Sequence, residues 1–250
     1  MKEPRQLRKA ANVILLRPAK GHGFEIFLTR RPDRMPFLGG MYCFPGGALQ
    51  KEDCSPAMLQ LCHGLSPLAA RKIVGAYLSP REALGLWVAG IRELFEELGV
   101  LFAVSPSGEP WATIKNQKNN LADKHAALLK GTLNFRSLLE SETLLCDVSR
   151  LAYFSHWQTP RGVSIRFNTR FFLATLPNDQ RVQRTSPEVA HSVWLTADRA
   201  LELFAEDKLR MIFPTFASLR TLADFDSLDS LLKEYGSDSS AASNKRLSVG

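Results

Sequence analysis

Between Pro80 and Leu98 apolar residues return at steps of three and four: Leu84, Trp87, Val88, Ile91, Leu94, Phe95 and Leu98. That spacing is the stripe of a helix laid on a core. Ser79-Pro80-Arg81-Glu82 has the form of a capping box with proline at the first helical position, and Gly99 supplies the left-handed residue that commonly closes a helix. The pattern therefore predicts a helix over 80–98. One turn before Glu93, Ala89 and Gly90 keep one side small enough for another part of the chain to approach closely.

Elsewhere the period drops to two. Residues 12–17 and 24–30 read as strands around the turn 19–23, with Phe24, Ile26 and Leu28 alternating against Glu25, Phe27 and Thr29. A third strand, 41–44, delivers Phe44-Pro45-Gly46-Gly47. A longer one, Val163 to Leu176, puts Arg166, Asn168 and Arg170 on one face and Ile165, Phe167, Thr169, Phe171 and Leu173 on the other. Residues 189–195 precede a helix over 197–205, Pro214 opens another, and 228–235 makes a last one. Ser55-Pro56 and Ser66-Pro67 have helix-start chemistry, with Gly64 and Gly75 as stops. Residues 54–79 thus read as a helical insertion before the long helix. Short helices are expected at 121–130 and 135–140, inside a region (118–142) to which the pattern assigns no role. The Ser-rich tail, 236–250, lacks apolar periodicity and is expected to be disordered.

Charge changes the reading of the long helix. Glu93, Glu96 and Glu97 fall into one narrow strip, where like charges at helical spacing repel by a few tenths of a kcal/mol per pair. A hard divalent cation with oxygen ligands removes that penalty; a solvated acidic face is the bland alternative. Upstream, the pair Gly46-Gly47 lets the chain turn sharply and expose a backbone carbonyl, a good ligand for Mg²⁺ or Mn²⁺.

These residues resemble a known signature. The Nudix hydrolases carry Gly, five residues, Glu, seven residues, then Arg-Glu-hydrophobic-any-Glu-Glu-any-Gly-hydrophobic. Arg92-Glu93-Leu94-Phe95-Glu96-Glu97-Leu98-Gly99-Val100 matches its second half at every position, and Gly47 matches its first glycine. Two departures stand out. Asp53 replaces the first glutamate, and 38 residues separate it from Arg92. An insert within the signature resembles the acyl-coenzyme A diphosphatase branch, as do Arg30-Arg31-Pro32 leading to Phe37-Leu38-Gly39-Gly40 and His156-Trp157-Gln158-Thr159-Pro160 followed by residues 166–172. Asn168 stands where relatives often have an acidic residue. The coenzyme A motif of another branch is only partly met: Leu28, Thr29, Arg31 and Gly40 fit, while Pro36 takes the place of its second arginine.

The resemblance implies an α/β/α sandwich with a mixed sheet between helices, spanning residues 1–235 as one Nudix domain. It implies metal-dependent diphosphate hydrolysis, with Glu93, Glu96, Glu97 and the Gly46 carbonyl as metal ligands and Arg92 ordering the carboxylates. Glu188, in a loop outside the signature, is the expected extra ligand or water-activating group, with surface exposure as the alternative. Coenzyme A or acyl-coenzyme A is the leading substrate. ADP-ribose, NADH, nucleotide sugars and dinucleoside polyphosphates are alternatives within the class, and a non-catalytic nucleotide-binding module is the alternative outside it.

Composition adds bounds. The chain has 250 residues, 45% hydrophobic, with net charge +7 and an isoelectric point near 9.4. Residues 1–40 hold nine Lys/Arg against three Asp/Glu, and residues 150–184 six against one. Arg30, Arg31 and Arg34 form one candidate phosphate-binding cluster, and Arg166 with Arg170 a second. Nucleic acid is a poor match, because no binding motif or long basic run accompanies the charge. No apolar run approaches membrane-spanning length. Four cysteines (43, 54, 62 and 146) make no Cys-x-x-Cys pair, which points to a reducing, cytoplasmic setting. The five histidines are scattered without a metal or triad pattern. A homodimer is allowed for.

Overall fold

The structure is a computed structural model and describes residues 7–35, 37–111, 118–162, 165–183 and 186–236; the tail expected to be disordered lies outside these but for Gly236. Strands β1 (Leu7–Pro18) and β2 (Phe24–Arg30) form the first hairpin, with Leu16 opposite Ile26. Two short strands follow. β3 (Tyr42–Cys43) pairs with β2, and β4 (Gly46–Ala48) pairs with β1 so that Gly47 faces Ala11. After a 3₁₀ turn at Glu52–Cys54 the chain leaves the sheet through α1 (Pro56–Gln60), β5 (Cys62–His63) and α2 (Pro67–Val74), then returns as α3 (Pro80–Leu98).

The three helix starts use the expected chemistry. The Ser55 and Ser66 hydroxyls accept from the Met58 and Ala69 N–H groups at 3.1 and 3.2 Å. At α3 the Ser79 hydroxyl accepts from the Glu82 N–H at 3.2 Å while the Glu82 carboxylate accepts from the Ser79 N–H at 3.1 Å, and Gly99 at φ 67° closes the helix.

Next come β6 (Ala103–Val104), α4 (Lys118–Leu129), α5 (Phe135–Ser141) and β7 (Leu145–Asp147). β8 (Ala152–Gln158), β9 (Arg166–Thr175) and β10 (His191–Leu195) complete the sheet, and α6 (Ala197–Ala205), α7 (Phe213–Leu222) and α8 (Leu228–Tyr235) end the chain's described part. Among the described residues the main sheet has seven strands, along β10-β2-β1-β9-β8 with β3 and β4 attached to β2 and β1. The β1 and β9 strands run parallel and the other pairs antiparallel, so the sheet is mixed.

Alternation along β1 divides the core in two. Ala11, Val13 and Leu15 face α3, whereas Ile14 and Leu16 face α6, α7 and α8. The result is the α/β/α sandwich. Burial on α3 extends beyond its apolar stripe to Ala83, Leu86 and Ala89. At the edge of the stripe Phe95 packs on His125 of α4 and Phe135 of α5 at ring distances of 4.7 and 6.4 Å, so these helices cover α3 from outside the sheet. A second sheet, β5-β7-β6, joins the insertion to this cover. The region without an assigned role is thus the roof of the long helix. Full burial of side chains such as Trp87, Ile91 and Leu94 contributes about 1.5–3 kcal/mol each.

Gly85 marks where the insertion meets α3: a Cβ there would come within 2.6 Å of Cys54 Sγ and 3.2 Å of the Asp53 carbonyl. Gly85→Val should therefore lower the unfolding free energy by about 1–3 kcal/mol through overpacking. Ser79→Ala, which removes only a cap, should cost about 1 kcal/mol; urea denaturation compares the two.

Candidate active site

The carboxylates of α3 are organised by a buried cation. Arg92 is 3% exposed and spends its guanidinium on several partners at once. Its Nε and Nη2 donate to the two Asp53 oxygens at 2.9 and 3.1 Å, a side-on fork. Nη2 also donates to the Ala48 carbonyl at 3.0 Å, and Nη1 donates to Glu93 at 2.8 Å and Glu96 at 3.0 Å. Asp53 is thus the group that completes the clamp, despite the 38 intervening residues. Its place in the signature was the only sign of this in the sequence. The Asp53 carboxylate also accepts from the Gln50 N–H at 2.8 Å, which pins the loop leading out of β4.

The glycine pair brings the other wall. Gly46 has φ 147°, and a Cβ on it would strike the β1 backbone at Ala11 and Asn12; a Cβ on Gly47 would strike the Glu93 carboxylate. Only glycine lets this strand lie so close to both β1 and α3. The Gly46 N–H donates to Glu97, yet Glu97 Oε2 is buried with no hydrogen-bond partner among the described residues.

Negative charge here exceeds what Arg92 balances. Burial raises the Glu93 pKa to about 7, with Arg92 opposing and Glu96 reinforcing the rise. Burial also raises Glu96, and lifts Glu97 well above the ordinary carboxylate range with help from Glu93 and Glu188. For Arg92, burial weakens the hold on its proton, but Glu93, Asp53 and Glu96 outweigh it and the net shift is upward.

Glu188 reaches this cluster from the loop before β10. It lies 3.7 Å from Arg31 Nη2, is more than half exposed, and is felt by both Glu96 and Glu97 as a like charge. Arg31 also donates to the Phe37 carbonyl at 3.2 Å and partly offsets the charge on Glu97. The other expected phosphate-binding arginines are dispersed. Arg30 pairs with Asp33 at 2.6 Å, and Arg34 is exposed. Arg166 is turned toward the Thr159 and Pro160 carbonyls. Arg170 is buried beneath Tyr77, two strands from Gly47. The arginine row on β9 is therefore not a solvated face, and Arg31 is the arginine of these that meets the carboxylate cluster.

Among the described residues no three His, Cys, Asp or Glu side chains stand ready-made as a metal cage. The cleft still fits a divalent cation on chemical grounds. It combines a Glu97 carboxylate oxygen without a hydrogen-bond partner among the described residues, oxygen-only donors, and carboxyls whose burial outweighs the charge that Arg92 and Arg31 bring to them.

The model of one family, the NUDT19 Nudix domain, matches residues 71–222. The chain belongs to the Nudix hydrolases. Its similarity to acyl-coenzyme A diphosphatase NUDT19 of Homo sapiens is 27% identity over 271 aligned residues, covering 92% of this chain and 72% of that protein. The NUDT19 of Gallus gallus is 26% identical, covering 94% and 72%. Among solved structures, a Nudix hydrolase from Alicyclobacillus acidocaldarius superposes with a TM-score of 0.77 at 25% identity, covering 92% of this chain and 96% of that one. The matched region contains α3 and the carboxylates, while Gly46, Gly47 and Asp53 precede it.

Two outcomes follow for this Nudix site. Asp53→Asn should cost roughly 3 kcal/mol in urea denaturation, the low end for breaking a buried ion pair, since Glu93 and Glu96 still hold Nη1. Because the folded Glu93 pKa near 7 exceeds its ordinary 4.5, the folded state binds the extra proton. In chelator-treated protein that contribution is complete below about pH 4.5 and is lost as pH rises through about 7. Urea midpoints across that range should fall in wild type and fall less in Glu93→Gln.

Proposed function

We propose that this Nudix enzyme hydrolyses the diphosphate of coenzyme A or acyl-coenzyme A, releasing 3′,5′-ADP and (acyl-)4′-phosphopantetheine, with Mg²⁺ or Mn²⁺ as cofactor. The carrying observation is the excess of buried carboxylate around Gly46 and Arg92, which suits a cation that must meet a diphosphate. The substrate class is taken from the two relatives, each named an acyl-coenzyme A diphosphatase.

Glu93, Glu96, Glu97 and the Gly46 carbonyl would hold the cation. When bound, it neutralises diphosphate charge and lowers the pKa of an attacking water. Arg92 positions the carboxylates, because its Nη1 fixes Glu93 and Glu96 together while Asp53 anchors its other edge. Arg31 stands beside Glu188 at the cluster's edge and meets the substrate's phosphate oxygens. Glu188 is our choice for the proton acceptor: it is exposed and lies outside the Arg92 clamp. Such a group contributes about 10²–10⁴-fold to rate.

The test is product analysis by mass spectrometry with Mg²⁺, over coenzyme A, acyl-coenzyme A, ADP-ribose, NADH, nucleotide sugars and dinucleoside polyphosphates. Release of 3′,5′-ADP chiefly from the coenzyme A compounds is expected. AMP from ADP-ribose or NADH instead would overturn the substrate, and turnover undiminished in Glu96→Gln/Glu97→Gln would overturn the site.

A further inference from the structure

A second cation on the α3 side of the sheet has no counter-ion among the described residues. Arg170 is 1% exposed, and its Nη1 donates to Asn168 Oδ1, which in turn lies 2.7 Å from His156 Nε2. Its Nε and Nη2 are buried with no hydrogen-bond partner among the described residues. The Tyr77 ring lies 5.1 Å from the guanidinium carbon and 6.3 Å from the His156 ring, and Tyr77 itself is 60% exposed. Gly75, at φ 107°, leaves the space the ring occupies, for a Cβ there would sit 2.8 Å from it.

A cation–π contact and one hydrogen bond to an amide do not offset burying a whole guanidinium. Burial lowers the Arg170 pKa to about 10, and no carboxylate opposes that shift. The unused pair, Nε with Nη2, is the same side-on edge that Arg92 presents to Asp53, and it matches two oxygens of one anion. An exposed aromatic ring beside such a fork suits a phosphate attached to a nucleoside.

The location separates this feature from the carboxylates. Gly47, Ala11, Arg170 and His156 stand in one row across four strands, so Arg170 lies about 10 Å from Gly47 by strand spacing. Gly90 of α3 packs on Ala11 and Val13 between the two.

We propose that Arg170, Asn168 and His156, roofed by Tyr77, form a phosphate-monoester subsite separate from the carboxylate cleft. The phosphate is either carried on the nucleotide half of a substrate or free in solution.

Calorimetric titration of the full chain in chelator, without divalent metal, tests this independently of hydrolysis. Inorganic phosphate and 3′,5′-ADP are the probes. Wild type should bind, and Arg170→Met should bind at least ten-fold more weakly while melting no lower than wild type, because an unpaired buried charge has been removed. Tenfold tighter binding of 3′,5′-ADP than of phosphate, through Arg170, assigns the site to a nucleotide's phosphate; equal binding assigns it to free phosphate. In Tyr77→Ala, which alters an exposed side chain, phenylglyoxal should label Arg170 faster, and phosphate should protect it. No binding of either probe to wild type, undiminished binding to Arg170→Met, or labelling that phosphate leaves unchanged would overturn the proposal.

Discussion

The buried Arg92 guanidinium is the constraint on which the candidate active site rests. It ties the loop after β4, through Asp53 and the Ala48 carbonyl, to the turn of α3 that carries Glu93 and Glu96. A charge so deeply placed is tolerated only with its hydrogen bonds satisfied. Here three carboxylates and a carbonyl do so. The insertion can therefore be long, since its two ends are held by the clamp and by the close packing of Gly85 on Asp53 and Cys54.

The same burial that stabilises the clamp leaves the glutamates overcharged. Glu93 and Glu97 lie against the glycine pair, where no side chain intervenes, and Glu188 adds charge from a separate loop. A protein selected for stability alone would have little reason to gather these groups. In the function proposed above, a cation bound here would relieve the cost of burying these carboxylates together and would meet a diphosphate.

Much of this was legible in the chain. Capping chemistry and spacing located α3 at Pro80–Leu98, a helix was expected over 197–205 where α6 stands, and the signature around Arg92 identified the family and its sandwich. Asp53 was visible as a position, though not as a bidentate partner, because a contact across 38 residues has no local pattern. The strands β5, β6 and β7 are two or three residues long and carry no periodicity, so the roof they build over α3 was unreadable. The arginines show the limit most plainly. Alternation placed Arg166 and Arg170 on one face, but only the packing of Tyr77 reveals that Arg170 is enclosed.

The central claim is that the α3 carboxylates and the glycine loop form a cation site. Crystals grown with Mn²⁺ and measured for anomalous scattering test it most directly. The account predicts a peak bounded by the Glu93 and Glu97 carboxylates and the Gly46 carbonyl. Mn²⁺ bound elsewhere, with this cleft empty in protein that hydrolyses its substrate, would contradict it.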